Sequence, residues 1–118
     1  MNSNNDFILL KRVNIFNEYI NQYVVSLIPS VHRDIKIHLL DESYNLLKNL
    51  YEAIYNKGNI RNKYIIELLV CISLIDSLLG SIMKYNKDKH IIKAISLLTD
   101  IKNMTYAWKA NISEKEDK

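Results

Sequence analysis

Three short breaks, Ile28-Pro29-Ser30, Lys57-Gly58-Asn59 and Asn86-Lys87-Asp88, cut the chain into four segments. Each runs for about 20 to 27 residues with apolar side chains recurring at three- and four-residue spacing, the period of an amphipathic helix. Connections this short force consecutive helices to lie antiparallel. The predicted architecture is therefore all-α, an up-down-up-down antiparallel four-helix bundle, with helices over residues 7–27, 31–57, 60–85 and 88–111. A chain of 118 residues is expected to form one domain, large enough to bury about two-thirds of its unfolded surface. Its 2 glycines and 1 proline suit long helices with little loop. The polar start, residues 1–5, and the charged end, residues 113–118, are expected to fray.

Helical phase assigns each segment a face. Asp6 is the expected N-cap of the first helix, with Val13, Phe16, Ile20, Tyr23, Val24 and Leu27 inward and Pro29 as its stop. The second carries Leu40, Leu47, Leu50 and Ile54 inward and ends at Gly58 as a left-handed cap. In the fourth, capped by Asp88, the inward set is Ile91, Ala94, Leu98, Ile101, Thr105 and Trp108.

The third helix breaks the pattern. A polar stripe over its C-terminal half, Ser73, Asp76, Ser77, Gly80, Ser81 and Lys84, projects back onto Ile66, Leu69 and Val70, which should face water. Such a cluster points to burial against a second molecule, with irregular packing inside the bundle as the alternative. Ile37, Tyr44, Tyr51 and Tyr55 line an edge of helix 2, where a ring can bury while its hydroxyl stays wet. That edge reads as a bundle rim, a subunit contact or a stacking surface. Tyr64 to Met83 contains only two charges, Glu67 and Asp76, yet each costs about 2.5 to 3.5 kcal/mol near a bilayer centre, so a bundle helix rather than a membrane span is expected. Cys71 is the one cysteine and is expected to be a buried thiol. No secretory signal pattern opens the chain, and a cytoplasmic location is expected.

The net charge of +3 becomes informative once folded onto the topology. An up-down bundle brings the first and third breaks to one end, gathering Arg33, Lys36, Lys84, Lys87, Lys89 and Lys93 against Asp34 and Asp88, a local balance of +4. Taken from totals of 16 basic and 13 acidic residues, this leaves ten basic and eleven acidic residues elsewhere. All of the net positive charge sits at that end, with His32 and His90 beside it. A concentrated basic surface of this kind suits nucleic-acid phosphates, and it also occurs on merely solvated lysine-rich loops.

Enzyme signatures are sparse. The chain has no Glu-x-x-His pair for a di-iron bundle, no glycine-rich phosphate loop and no Cys-x-x-Cys, and no metal or cofactor is expected. Arg33 and His38 form an Arg-x-x-x-x-His pair that resembles the catalytic motif of HEPN ribonucleases. On an ideal helix, however, the two side chains lie about 140° apart.

The Ile28-Pro29 break with Arg33 four residues on, Leu50-Tyr51-Glu52-Ala53 closing helix 2, Arg61 before Glu67-Leu68-Leu69, and Asp100-Ile101 followed by Met104, Ala107 and Trp108 together form a pattern over about residues 10–110. It resembles the accessory variability determinant family of diversity-generating retroelements. More distantly it is similar to the four-helix proteins of 23S ribosomal RNA intervening sequences. Lys102 and Asn103 stand where the family tends to have Gly-Arg, and Tyr106 replaces a small residue. The resemblance implies a non-enzymatic, positively charged homopentamer that binds a reverse transcriptase and its template RNA. Expected sites are Arg33, Lys36, Lys84, Lys87, Lys89 and Lys93 for RNA or DNA, and Ile66, Leu69, Val70, Tyr44 and Tyr51 for the oligomer interface. The competing readings are a HEPN-like ribonuclease using Arg33 and His38, and a structural helical adaptor.

Overall fold

The computed structural model describes residues 3–116. Four helices, α1 (Ser3–Tyr19), α2 (Arg33–Tyr55), α3 (Gly58–Met83) and α4 (Lys89–Glu116), form the expected antiparallel bundle, about 51 Å long and 22 × 19 Å across. Each helix packs on its neighbour in sequence, and α4 closes the bundle against α1. One continuous apolar core runs through it, from Leu9 and Phe16 on α1 to Ile101 and Trp108 on α4.

The terminal helices run further than expected. Residues 3–5 and 113–116 are helical, and residues 1, 2, 117 and 118, the rest of the two ends expected to fray, lie outside the described residues. No glycine or proline interrupts either stretch, and Glu and Lys near the C-terminus are good helix formers. Asp6 consequently sits inside the first turn of α1 rather than capping it.

The buried stripe of the first segment is Leu9, Val13, Phe16, Ile20, Val24 and Ile28. Three consecutive four-residue steps from Phe16 to Ile28 would rotate a regular helix off the core by about 40° each. The chain corrects this with a π-helical turn at Ile20–Val24, where Val25 N–H bonds to Ile20 O, followed by a 3-10 turn at Val25–Leu27. A wider turn absorbs the drift and keeps Ile20 and Val24 buried. The same shift leaves Tyr23 38% exposed and Leu27 half-buried, correcting their inward assignment. Pro29, extended at φ −62° and ψ 153°, ends the segment, and a 3-10 turn at Ser30–His32 leads into α2.

On α2, Leu50 is buried as expected, while the other three inward positions are displaced by one residue. Leu39, Ser43, Leu46, Leu50 and Ala53 are buried, while Leu40, Leu47 and Ile54 flank them half-buried. Apolar doublets at 39/40, 46/47 and 53/54 make the arc wide, and small Ser43 and Ala53 occupy its centre. The Ser43 hydroxyl donates to Leu39 O at 2.8 Å, and Asn17 Nδ2 of α1 donates to Ser43 O at 3.0 Å. Gly58 does adopt the left-handed conformation, φ +62°, which glycine takes without steric cost. It opens α3, however, because the chain is already extended at Asn56 and Lys57.

All six inward assignments on α4 hold. Asp88 caps it, with Oδ1 accepting from His90 N–H at 2.8 Å, a bond that holds the carboxyl below its ordinary range. At the opposite end of the bundle, Arg61 binds the C-terminus of α2, where helix carbonyls lack intrahelical partners. Its Nε donates to Ala53 O at 2.9 Å and its Nη2 to Ile54 O at 3.1 Å. The guanidinium also lies 5.8 Å from the centre of the Trp108 ring, joining α2, α3 and α4.

Candidate nucleic-acid interface

The connections between α1 and α2 and between α3 and α4 meet at one end, as the topology requires, and two ring stacks hold them together. His32, just before α2, stacks on Tyr85, just after α3, at 4.6 Å between centroids and 16° between planes. Tyr23, in the π-turn ending the first segment, stacks on His90 in the first turn of α4 at 4.7 Å and 7°. Tyr19 completes the second group, 4.8 Å from Tyr23. The His90 ring is oriented by Asp88, whose Oδ1 lies 2.8 Å from His90 Nδ1. The two histidine–tyrosine stacks are not readable from helical period, because each joins residues brought together only by the bundle's closure.

The six candidate cations lie on the helix starts and connections that carry these rings. Arg33 and Lys36 lie in the first turn of α2, Lys89 and Lys93 in the first turns of α4, and Lys84 and Lys87 in the intervening connection. All are exposed except Lys36, which is half-buried. Burial, then the negative charge of Asp34, raises the Tyr85 phenol above its ordinary range; burial, then Tyr23 and Asp88, does the same to Tyr19. Both phenols stay neutral at physiological pH, so neither offsets the basic field. Exposed ammonium groups and a guanidinium are the groups that pair with phosphates.

The second expected site divides into two faces. On α3, Ile66, Leu69 and Val70 line an open trough of about 330 Å³ together with Ser73, Leu74 and Ser77. Ile66, Val70 and Leu74 are each nearly half exposed, and Leu69 is half-buried. Leu74 extends the cluster one turn beyond the sequence reading. Cys71 is 5% exposed on the core side of the same helix, as phase predicts, and Asn49 Nδ2 of α2 lies 3.5 Å from its sulfur.

Tyr44 and Tyr51 are exposed on α2, but not in the trough. Asn49 marks the side of α2 that meets α3, and the two tyrosines lie about 140° and 160° around the helix from it. They form a separate face with Tyr55, which stacks on Tyr51 at 6.3 Å and 10°.

Arg33 and His38 are both exposed on α2, which is regular from Arg33 to Tyr55, so no local distortion turns the two side chains toward each other. Among the described residues no group of three or more His, Cys, Asp or Glu side chains is placed to hold a metal ion. α3 is long and apolar enough to cross a membrane. In the bundle, its Ile65, Leu68, Ile72, Ile75, Leu79 and Ile82 are buried in the core and Glu67 and Asp76 are exposed. No family model, no curated protein and no solved structure matches this chain.

Proposed function

We propose that the protein is a non-enzymatic, homo-oligomeric binding bundle of the cytoplasm whose basic loop end holds nucleic-acid phosphates, serving as an accessory to a reverse transcriptase and its template RNA. The nucleic-acid part is carried by the convergence of Arg33, Lys36, Lys84, Lys87, Lys89 and Lys93 around two interlocked connections. The identity of the enzyme partner follows from the sequence resemblance.

Self-association is supported by the apolar trough on α3. With the tyrosine face of α2 pointing elsewhere, each chain has two unlike surfaces to offer, the arrangement that head-to-tail contacts use to close a ring. A ring of five would repeat the +4 end five times. Each copy would then add to a shared field, and weak single contacts would sum to firm binding.

The test is equilibrium binding to a mixed-sequence RNA between 50 and 200 mM salt, concentrations at which counterion release is readily measured. Six phosphate contacts on a single strand give a log–log slope of about −4 per subunit engaged. A slope near zero contradicts phosphate binding. The same preparation, incubated with RNA, should leave it intact; cleavage abolished by Arg33→Ala or His38→Ala would establish the ribonuclease instead.

A further inference from the structure

The basic end carries rings as well as cations, and the two alternate along the chain. From Lys84 to Lys89 the sequence reads Lys-Tyr-Asn-Lys-Asp-Lys, placing Tyr85 between lysines in the short connection after α3. Its backbone is fixed, since Tyr85 N–H and Asn86 N–H both bond to Ile82 O, at 3.2 and 3.0 Å. Its ring is fixed too, by the His32 stack on one face. Tyr85 nevertheless remains 43% exposed, more than a tyrosine serving only as an internal wedge would be. Tyr23, backed by His90, is the second such ring at this end.

We propose that this end binds unpaired nucleotides of single-stranded nucleic acid, a base stacking on the outer face of Tyr85 while the surrounding lysines hold the phosphates. The proposal rests on the phosphate-binding reading above and specifies its substrate. Three physical points favour a single strand. A duplex keeps its bases stacked on one another, so the exposed tyrosine face would gain nothing from it, whereas an unpaired base offers a π-face worth about 1–3 kcal/mol. The cations are spread over two helix starts and a loop rather than along one helix face, so no basic helix is presented to a groove. A ring already held by its histidine neighbour loses little freedom on stacking. Because phosphates and π-faces are common to RNA and DNA, the site accepts either.

The experiment measures fluorescence anisotropy with a labelled 20-nucleotide RNA lacking self-complementarity, its DNA counterpart, and the RNA annealed to its complement. The two single strands should bind alike, and at least about tenfold tighter than the duplex. Tyr85→Ala should weaken single-strand binding by about tenfold and leave duplex binding unchanged, while Tyr85→Phe, which keeps the ring, should bind as the unmodified protein. Tyr85→Leu, which keeps apolar bulk without a π-face, serves if Tyr85→Ala fails to fold. Equal affinity for single strand and duplex, or unchanged single-strand binding by both ring-deleted variants, overturns the stacking proposal. It would leave the phosphate reading standing if Lys87→Glu with Lys89→Glu still abolishes binding. Binding to none of the three oligonucleotides overturns both.

Discussion

Cys71 tests the phase of α3 at the level of a single atom. It is 5% exposed, and burial, with a further contribution from Glu42, pushes its thiol up to about 11 from an ordinary 9.0. At pH 8 this leaves about a hundredfold fewer thiolates than an unperturbed cysteine, and the thiolate is the reactive form. Labelling by a thiol reagent should therefore be at least about a hundredfold slower in the native protein than in urea, and rapid native labelling would show the helix turned the other way. The sign of the pH dependence follows from the same shift. The folded state retains the proton over the interval between 9.0 and about 11, so stability should fall as pH rises through that window in the unmodified protein, and less so in Cys71→Ala. Placement of this residue was legible from the sequence because it needs only a 100° step along one helix. The partners of Asn17 were not: its Nδ2 reaches Ser43 O, while its Oδ1 is buried without a hydrogen-bond partner among the described residues, and both depend on how closely α1 approaches α2.

Each helix was readable in proportion to how regular it is. α4 keeps a steady alternation of three- and four-residue steps, and every inward residue was recovered. The first segment was misread at Tyr23 and Leu27 because a run of four-residue steps signals a wider turn only once the core is known. α2 was placed correctly at Leu50 and slipped by one position at the other three inward residues, because its apolar doublets fit two phases equally well. Arg61 is structurally the clamp of the far end, donating to Ala53 O and Ile54 O, with its guanidinium over Trp108. A lysine cannot reproduce that fork. Arg61→Lys should lower the unfolding free energy by about 2 kcal/mol in a urea titration, the scale of hydrogen bonds made by a charged donor. A loss under about 0.5 kcal/mol would mean that the C-terminus of α2 is held by other contacts. Because Arg61 holds the fold, it is unsuitable as a surface control in charge-reversal experiments; Lys48, Lys57 and Lys63, all exposed away from the loop end, take that role.

At the scale of the whole molecule, the proposed binding and self-association each rest on one surface. The trough lined by Ile66, Leu69, Val70 and Leu74 leads us to expect a mass by light scattering several times the 13.9 kDa of one chain. Ile66→Lys with Leu69→Lys should lower it, since each lysine would have to be desolvated in the contact. A monomer in the unmodified protein would rule the interface out. That the cations converge at one end was legible from loop lengths and charge alone, because antiparallel topology dictates it. The ring stacks that make this end a defined surface were not, since His32 and Tyr85 are 53 positions apart in the sequence. The central claim, that this end and not the protein's charge in general binds nucleic acid, is tested most directly by comparing two charge-reversed proteins at one salt concentration. Lys87→Glu, Lys89→Glu, Lys93→Glu should lower affinity for single-stranded RNA by at least about a hundredfold, as loss and reversal of three phosphate contacts implies, while Lys48→Glu, Lys57→Glu, Lys63→Glu should change it by less than about fivefold. Equal losses in the two proteins would contradict the account.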